Sequence, residues 1–115
     1  MPQEGTDQIH DKISTHISNG DSENLSAHLG STVELSIMSK DGTYSKTQCG
    51  YILKDFFSKH PPSSYKIKHK GTSDKGSIYA IGNYVSGKEA FRVYYMMKKE
   101  SGEFQLVIIH FDKQN

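Results

Sequence analysis

The stretch from Thr43 to His60 constrains the fold of this chain more than any other. Its apolar side chains recur at the spacing i, i+3, i+4, i+7 and i+8, which places them on one face of a helix. They are Cys49, Ile52, Leu53, Phe56 and Phe57. The helix is predicted to begin near Tyr44 and Ser45 and to end before Pro61, because proline lacks the amide hydrogen that continues a helix. Since the residues that follow read as strands, we expect this helix to lie across a sheet.

The segment before the long helix predicts two shorter helices. Isoleucines recur every fourth residue from Ile9 to Ile17, which favours a first helix over about Asp7–Ser18. Asp21 is a good N-cap for a second helix through about Leu29, because its carboxylate can accept hydrogen bonds from the first-turn amides. These two helices are expected to form a corner.

Alternation of apolar and polar residues predicts a set of strands. They run over residues 33–37, 64–70, 77–85, 89–99 and 104–112. Asp41–Gly42 is predicted to turn the first strand toward the long helix, and Ser101–Gly102 to join the last two strands. The order of elements predicts an α+β fold in one domain over residues 1–115, with disorder over about residues 1–6.

Composition excludes several classes of function. A chain of 115 residues with 34% hydrophobic residues supports one core, and no apolar run is long enough to span a membrane. The net charge of +1 supplies no long-range electrostatic field that would attract nucleic acid.

Lys66, Lys68 and Lys70 are predicted to line one side of a strand, where lysines discourage aggregation. The six histidines show no metal-ligand spacing, so neither metal nor cofactor is expected. The single Cys49 is expected to be a buried hydrophobe.

The pairing of the last two strands predicts a second copy of the chain as a partner. With a two-residue turn at Ser101–Gly102, one side of the sheet would hold the pairs Met97–Leu106, Tyr95–Ile108 and Val93–His110. The other side would hold Tyr94, Met96, Val107 and Ile109, which are apolar too. A single-layer sheet should be polar on that side. We therefore predict a homodimer through the convex sheet face.

Four short stretches of sequence, together with the order of helices and strands, resemble those of a known family. They are Thr43–Lys46, Ile52–Phe57, His69–Gly71 and Tyr79–Gly82. The chain resembles the nuclear transport factor 2-like superfamily, also described as ketosteroid isomerase-like or cystatin-like, and within it a bacterial family of small exported proteins of unknown function. The resemblance implies helices packed on the concave side of a strongly bent antiparallel sheet. It also implies export to the periplasm, although no signal peptide is present in this sequence.

A cavity under the long helix is the predicted functional site. Its expected lining is mostly aromatic with a few polar groups, as small-ligand sites are: Tyr51, Phe57, Tyr79, Phe91, Tyr95 and His110. We predict non-catalytic binding of a small apolar ligand or a protein partner, because no inward strand position holds Asp or Glu. The alternative is a small isomerase or lyase that uses His110 and tyrosine hydroxyls. The same residues would also fit a purely structural role, in which the histidine is hydrogen-bonded within the core and the tyrosine hydroxyls reach solvent at its edge.

Overall fold

The computed structural model describes the backbone of residues 2–73 and 76–114 and the side chains from residue 6 onward in those ranges. The helices are α1 (Pro2–Ser18), α2 (Ser22–Ser26) and α3 (Lys46–Lys59). The strands are β1 (Leu29–Ile37), β2 (Lys40–Ser45), β3 (Ser64–Thr72), β4 (Ile78–Ser86), β5 (Glu89–Glu100) and β6 (Glu103–Gln114). None of the described helices has the length and apolar character that crossing a membrane requires.

The strands form one six-stranded sheet in the order β2-β1-β6-β5-β4-β3. Neighbouring strands are antiparallel except β1 and β6, which are parallel. The sheet is therefore mixed, whereas the sequence predicted a purely antiparallel one. Helix α3 packs on β1 and β2, and α1 packs on β3 and β4. The predicted α+β class, with helices on one face of the sheet, is confirmed.

Helix α3 forms where its sequence pattern predicts it. Ser45 is the N-cap and accepts a hydrogen bond from the Gln48 amide, while the Gln48 side chain accepts one from the Ser45 amide, so a capping box starts the helix. Its buried residues are Cys49, Leu53, Phe56 and Phe57. Burial raises the pKa of the Cys49 thiol to about 12, which leaves the reactive thiolate unformed at neutral pH.

The region between the predicted first strand and the long helix holds a strand that the sequence did not reveal. Asp41 and Gly42 lie inside β2, so the predicted turn there is wrong. The chain instead turns at Met38 and Ser39, which have φ of 50° and 73°. Strand β2 is an exposed edge strand rich in turn-forming residues, and its pairing with β1 alone holds it extended.

The helices before β1 also differ from prediction in length. Helix α1 begins at Pro2 rather than near Asp7, and its predicted stripe is buried at Ile13 and Ile17. Asp21 caps α2 as predicted, but α2 ends at Ser26 with Ala27 as its C-cap, and Leu29, the predicted last residue of this helix, begins β1. Residue 1 lies outside the described residues, and the predicted disorder over about residues 1–6 stays a prediction.

A bulge in β6 exchanges the sheet faces to which the side chains of its second half point. Met97 pairs with Leu106 as predicted, but Met96 pairs with Ile108, so Val107 is the extra residue. Beyond it Tyr95 pairs with Ile109 and not with Ile108, and Val93 pairs with Phe111 and not with His110. Because one extra residue exchanges the two faces of a strand, Ile109 points into the core and His110 points out.

A second bulge breaks the predicted lysine row. The register of β3 shifts between Ile67 and His69. Lys66 pairs with Asn83 on the outer face, whereas Lys70 lies beside the buried Ala80 and forms an ion pair of 2.8 Å with Asp7 of α1. The lysines therefore do not line one side of the strand.

Aromatic side chains fill the space between α3 and the sheet. The Phe56 ring lies in the middle of the cluster, with neighbours Phe57, His60, Tyr84, Phe91 and Phe111. Phe91 and Phe111 are fully buried. The volume directly beneath α3 is thus occupied by side chains, where the sequence predicted a cavity.

Candidate functional site

A cleft opens beside α3 instead of beneath it. It lies between the C-terminal half of α3 and the β1–β2 hairpin and has a volume of about 350 Å³. The apolar lining residues are Leu35, Ile37, Met38, Tyr44, Ile52 and Phe56. Its rim carries Lys40, Asp55, Lys59 and His60. This volume is within the range of roughly 300–1,000 Å³ that small-molecule sites occupy. We call it the α3 cleft.

The polar end of the α3 cleft is built around His60, the C-cap of α3. Its Nδ1 lies 2.8 Å from the Glu89 carboxylate, which also receives the Lys113 ammonium at 3.0 Å. Both contacts lower the pKa of Glu89, Lys113 more than His60. Because an ionised carboxylate accepts only, His60 donates through Nδ1 and keeps Nε2 for a ligand or solvent. The Tyr84 hydroxyl donates to the His60 carbonyl at 2.5 Å, which fixes the backbone there.

The charges at the rim of the α3 cleft are largely paired. Lys59 reaches Asp55 at 3.1 Å one helical turn away, and His60 is held by Glu89. The Lys59–Asp55 pair is exposed and contributes little to stability, so its main effect is that the two charges cancel at the rim. An apolar floor, a rim on which Lys40 is the charged side chain outside this pair, and the Nε2 atom of His60 suit an uncharged apolar molecule with a hydrogen-bonding end.

A buried polar cluster lies between α1 and the inner face of the sheet. His10 is 2% exposed, and its Nδ1 is 2.6 Å from the Tyr95 hydroxyl. Burial lowers the pKa of His10, and the nearby Lys70 charge lowers it further. The Tyr65 hydroxyl is also buried and has no hydrogen-bond partner among the described residues. Burial raises the pKa of both tyrosines, so both remain neutral.

Protonation of His10 is expected to make stability depend on pH. The ordinary pKa of histidine is 6.5, and the folded chain lowers that of His10. Between the two values the unfolded chain binds more protons, so stability rises with pH and falls on acidification through 6.5. Urea unfolding of the wild type should therefore show a lower free energy at about pH 5.5 than at about pH 7.5.

His10→Gln should make that pH dependence shallower. His28 retains a share of the slope, since burial lowers its pKa too. The matched control is Thr47→Gln on the exposed side of α3, which removes no titratable group and should leave the slope unchanged. Equal slopes for wild type and His10→Gln would show that His10 does not titrate in this way.

The outer sheet face carries a third polar group of residues. His110 Nε2 lies 3.4 Å from the Glu34 carboxylate, and Ser36 donates to Asp41 at 2.6 Å. These residues line an open, largely polar depression of about 340 Å³. The Tyr94 ring flanks His110 at 5.7 Å between centroids. Among the described residues, no group of three or more histidine, cysteine or acidic side chains could hold a metal ion.

The structure does not bring the predicted cavity residues together. Phe57, Phe91 and Tyr95 lie in the core. The other three lie elsewhere: Tyr51 is 70% exposed on the far side of α3, and Tyr79 and His110 are on the outer sheet face. The inward facing of His110 was wrong because of the β6 bulge. None of the six lines the α3 cleft.

Two of the residues that matter were overlooked in the sequence. His10 lies at i and the buried Ile13 and Ile17 at i+3 and i+7, so its place on the apolar stripe was a readable sign of burial. His60 and Glu89 are 29 residues apart and gave no short-range sign. Only the packing of α3 across the sheet brings that pair together.

Comparison with known proteins identifies the relatives of this fold. The profile of a family described as "Domain of unknown function (DUF4783)" matches residues 10–112. A DUF4783 family protein from Bacteroides uniformis ATCC 8492 has a TM-score of 0.87 and 27% identity, over 91% of this chain and 96% of that chain. One from Bacteroides ovatus ATCC 8483 has a TM-score of 0.86 and 27% identity, over 90% and 94%.

More distant structures show the fold alone. An NTF2-like protein of unknown function from Shewanella baltica OS155 has a TM-score of 0.69 and 12% identity, over 94% of this chain and 90% of that chain. The fold that the resemblance to the nuclear transport factor 2-like superfamily implied is thereby confirmed. No curated protein matches the chain.

Proposed function

The chain belongs to the DUF4783 family, a domain of unknown function, and from its site we propose that it is a non-catalytic module that binds a small apolar ligand in the α3 cleft. The observation that supports this proposal most is the apolar floor of Leu35, Ile52 and Phe56 in an open cleft of about 350 Å³. His60 Nε2 would hydrogen-bond the polar end of the ligand. Export to the periplasm, which the family resemblance implies, stays a prediction.

The enzymatic alternative has less support from the placing of its residues. It requires His110 and tyrosine hydroxyls around one apolar pocket. His110 instead lies in a polar depression beside Glu34, and Tyr95 bonds to His10 on the other face of the sheet. Acid–base catalysis needs proton donor and acceptor within reach of one substrate, so we assign binding to the chain in preference to catalysis.

An uncharged environment-sensitive dye, 1-N-phenylnaphthylamine, tests the proposal by fluorescence titration. The wild type should bind the dye with enhanced emission, and Ile52→Lys should lose at least about tenfold in affinity, because a lysine would project a charge across the apolar wall. The control is Tyr51→Lys on the neighbouring, outward position of α3, which should bind as the wild type does. Equal binding by wild type and Ile52→Lys, or no binding by the wild type, would contradict the proposal.

A further inference from the structure

The outer sheet face is too apolar for a surface that meets only water. Beside the bulge, Tyr79, Ile81, Tyr94, Met96 and Ile108 are half-buried and lie next to one another across β4, β5 and β6. No helix covers them, since the described helices contact the opposite face through their buried residues. Contiguous apolar patches of this kind mark interaction surfaces.

The charges around this patch are divided between its two halves. In the central rows of the outer face, the carboxylates lie on the β2-β1-β6 half: Asp41, Glu34 and Asp112. The basic side chains of these rows lie on the β5-β4-β3 half: Arg92, Lys66 and His69. His110 lies at the middle of the face, beside Glu34. The face is thus acidic at one side and basic at the other.

We infer that a second copy of this chain covers the outer face, related by a two-fold axis that runs along the strands between β5 and β6. This rotation lays the acidic half of each chain on the basic half of the other, so β6 meets the partner's β5. Asp112 then faces the partner's Arg92, and Ile108 faces the partner's Met96. A two-fold axis across the strands would instead lay each half on itself and place like charges together.

This arrangement corrects the residues of the predicted interface while keeping its location. Tyr94 and Met96 remain in the patch, and Val107 lies in the bulge at its edge. Ile109 is 2% exposed in the core and cannot contribute. Ile108 takes its place, because the bulge in β6 turns that residue outward.

Two charge-reversed variants and their mixture test the inference by sedimentation. At micromolar concentration the wild type should sediment at twice the mass of the 12.9 kDa chain. Arg92→Asp alone and Asp112→Arg alone should each sediment as monomers, because each places like charges across the interface. An equimolar mixture of the two should again sediment as a dimer, since each chain then supplies the charges that the other requires.

The mixture separates the interface from effects within one chain. Arg92 and Asp112 are also neighbours on adjacent strands of the same chain, but mixing two folded variants cannot restore that contact. Lys54→Asp on the exposed side of α3 is the control and should sediment as the wild type does. A monomeric wild type would overturn the inference. A dimeric wild type whose variants stay dimeric, or whose mixture stays monomeric, would overturn this two-fold arrangement.

Discussion

Phe56→Ala should be the most destabilising of the proposed substitutions, with an expected loss of about 3–5 kcal/mol in the free energy of unfolding. Phe56 is 3% exposed, and its ring centroid lies 4.4 Å from that of Phe111 and 5.3 Å from that of Phe91. Removing the ring deepens the α3 cleft into the core and takes away the central contact of the surrounding aromatic rings. A domain of this size has only about 5–15 kcal/mol of stability to lose.

Urea unfolding measures this loss, with Phe104→Ala as the matched control. Phe104 is half-buried at the β5–β6 hairpin, where Lys99 Nζ lies 5.4 Å above its ring. Its removal should cost only about 1 kcal/mol. If the two variants lost equal stability, the aromatic cluster around Phe56 would not be the centre of the core.

Gly82→Ala should be the next most damaging change, with a loss of about 1–3 kcal/mol. A Cβ atom at Gly82 would lie 2.6 Å from the Lys66 carbonyl oxygen and 2.7 Å from the Tyr65 ring. The carbonyl belongs to the neighbouring strand and cannot move without disturbing the β3–β4 pairing. The glycine is therefore required by the close approach of β3 and of the Tyr65 ring.

Gly30→Ala is the control for Gly82→Ala in the same unfolding experiment. Gly30 is also a strand residue, yet the nearest atom to its added Cβ would be 3.4 Å away, which is ordinary contact. Its substitution should change stability by no more than about 0.5 kcal/mol. A Gly82→Ala variant as stable as Gly30→Ala would contradict the close approach of both the Lys66 carbonyl and the Tyr65 ring to this position.

The helices and most strands could be predicted because their signals are local. The spacing of Cys49, Leu53 and Phe56 defines one face of α3 whatever the rest of the chain does, and Ser45 with Gln48 marks its start. The predicted hairpin turn at Ser101 and Gly102 also placed the first residue pairs of β5 and β6 correctly, since both turn residues adopt the positive φ that such turns require.

The facing of residues beyond the bulges could not be predicted in the same way. Val107 carries no mark of a bulge, because bulges arise from the twist and bending of the whole sheet. That single residue decides that His110 faces out and Ile109 faces in, and so it changed both the predicted cavity and the predicted dimer face. Strand β2 was missed for a related reason, since only its pairing with β1 makes its turn-forming residues extended.

The position of the ligand is tested most directly by amide and methyl NMR shifts of the wild type titrated with 1-N-phenylnaphthylamine. Binding in the α3 cleft predicts shifts that are largest at Leu35, Ile52 and His60, the residues that line it. Shifts centred on Tyr94 and His110 at the outer face, or on His10 beneath α1, would contradict the proposed site.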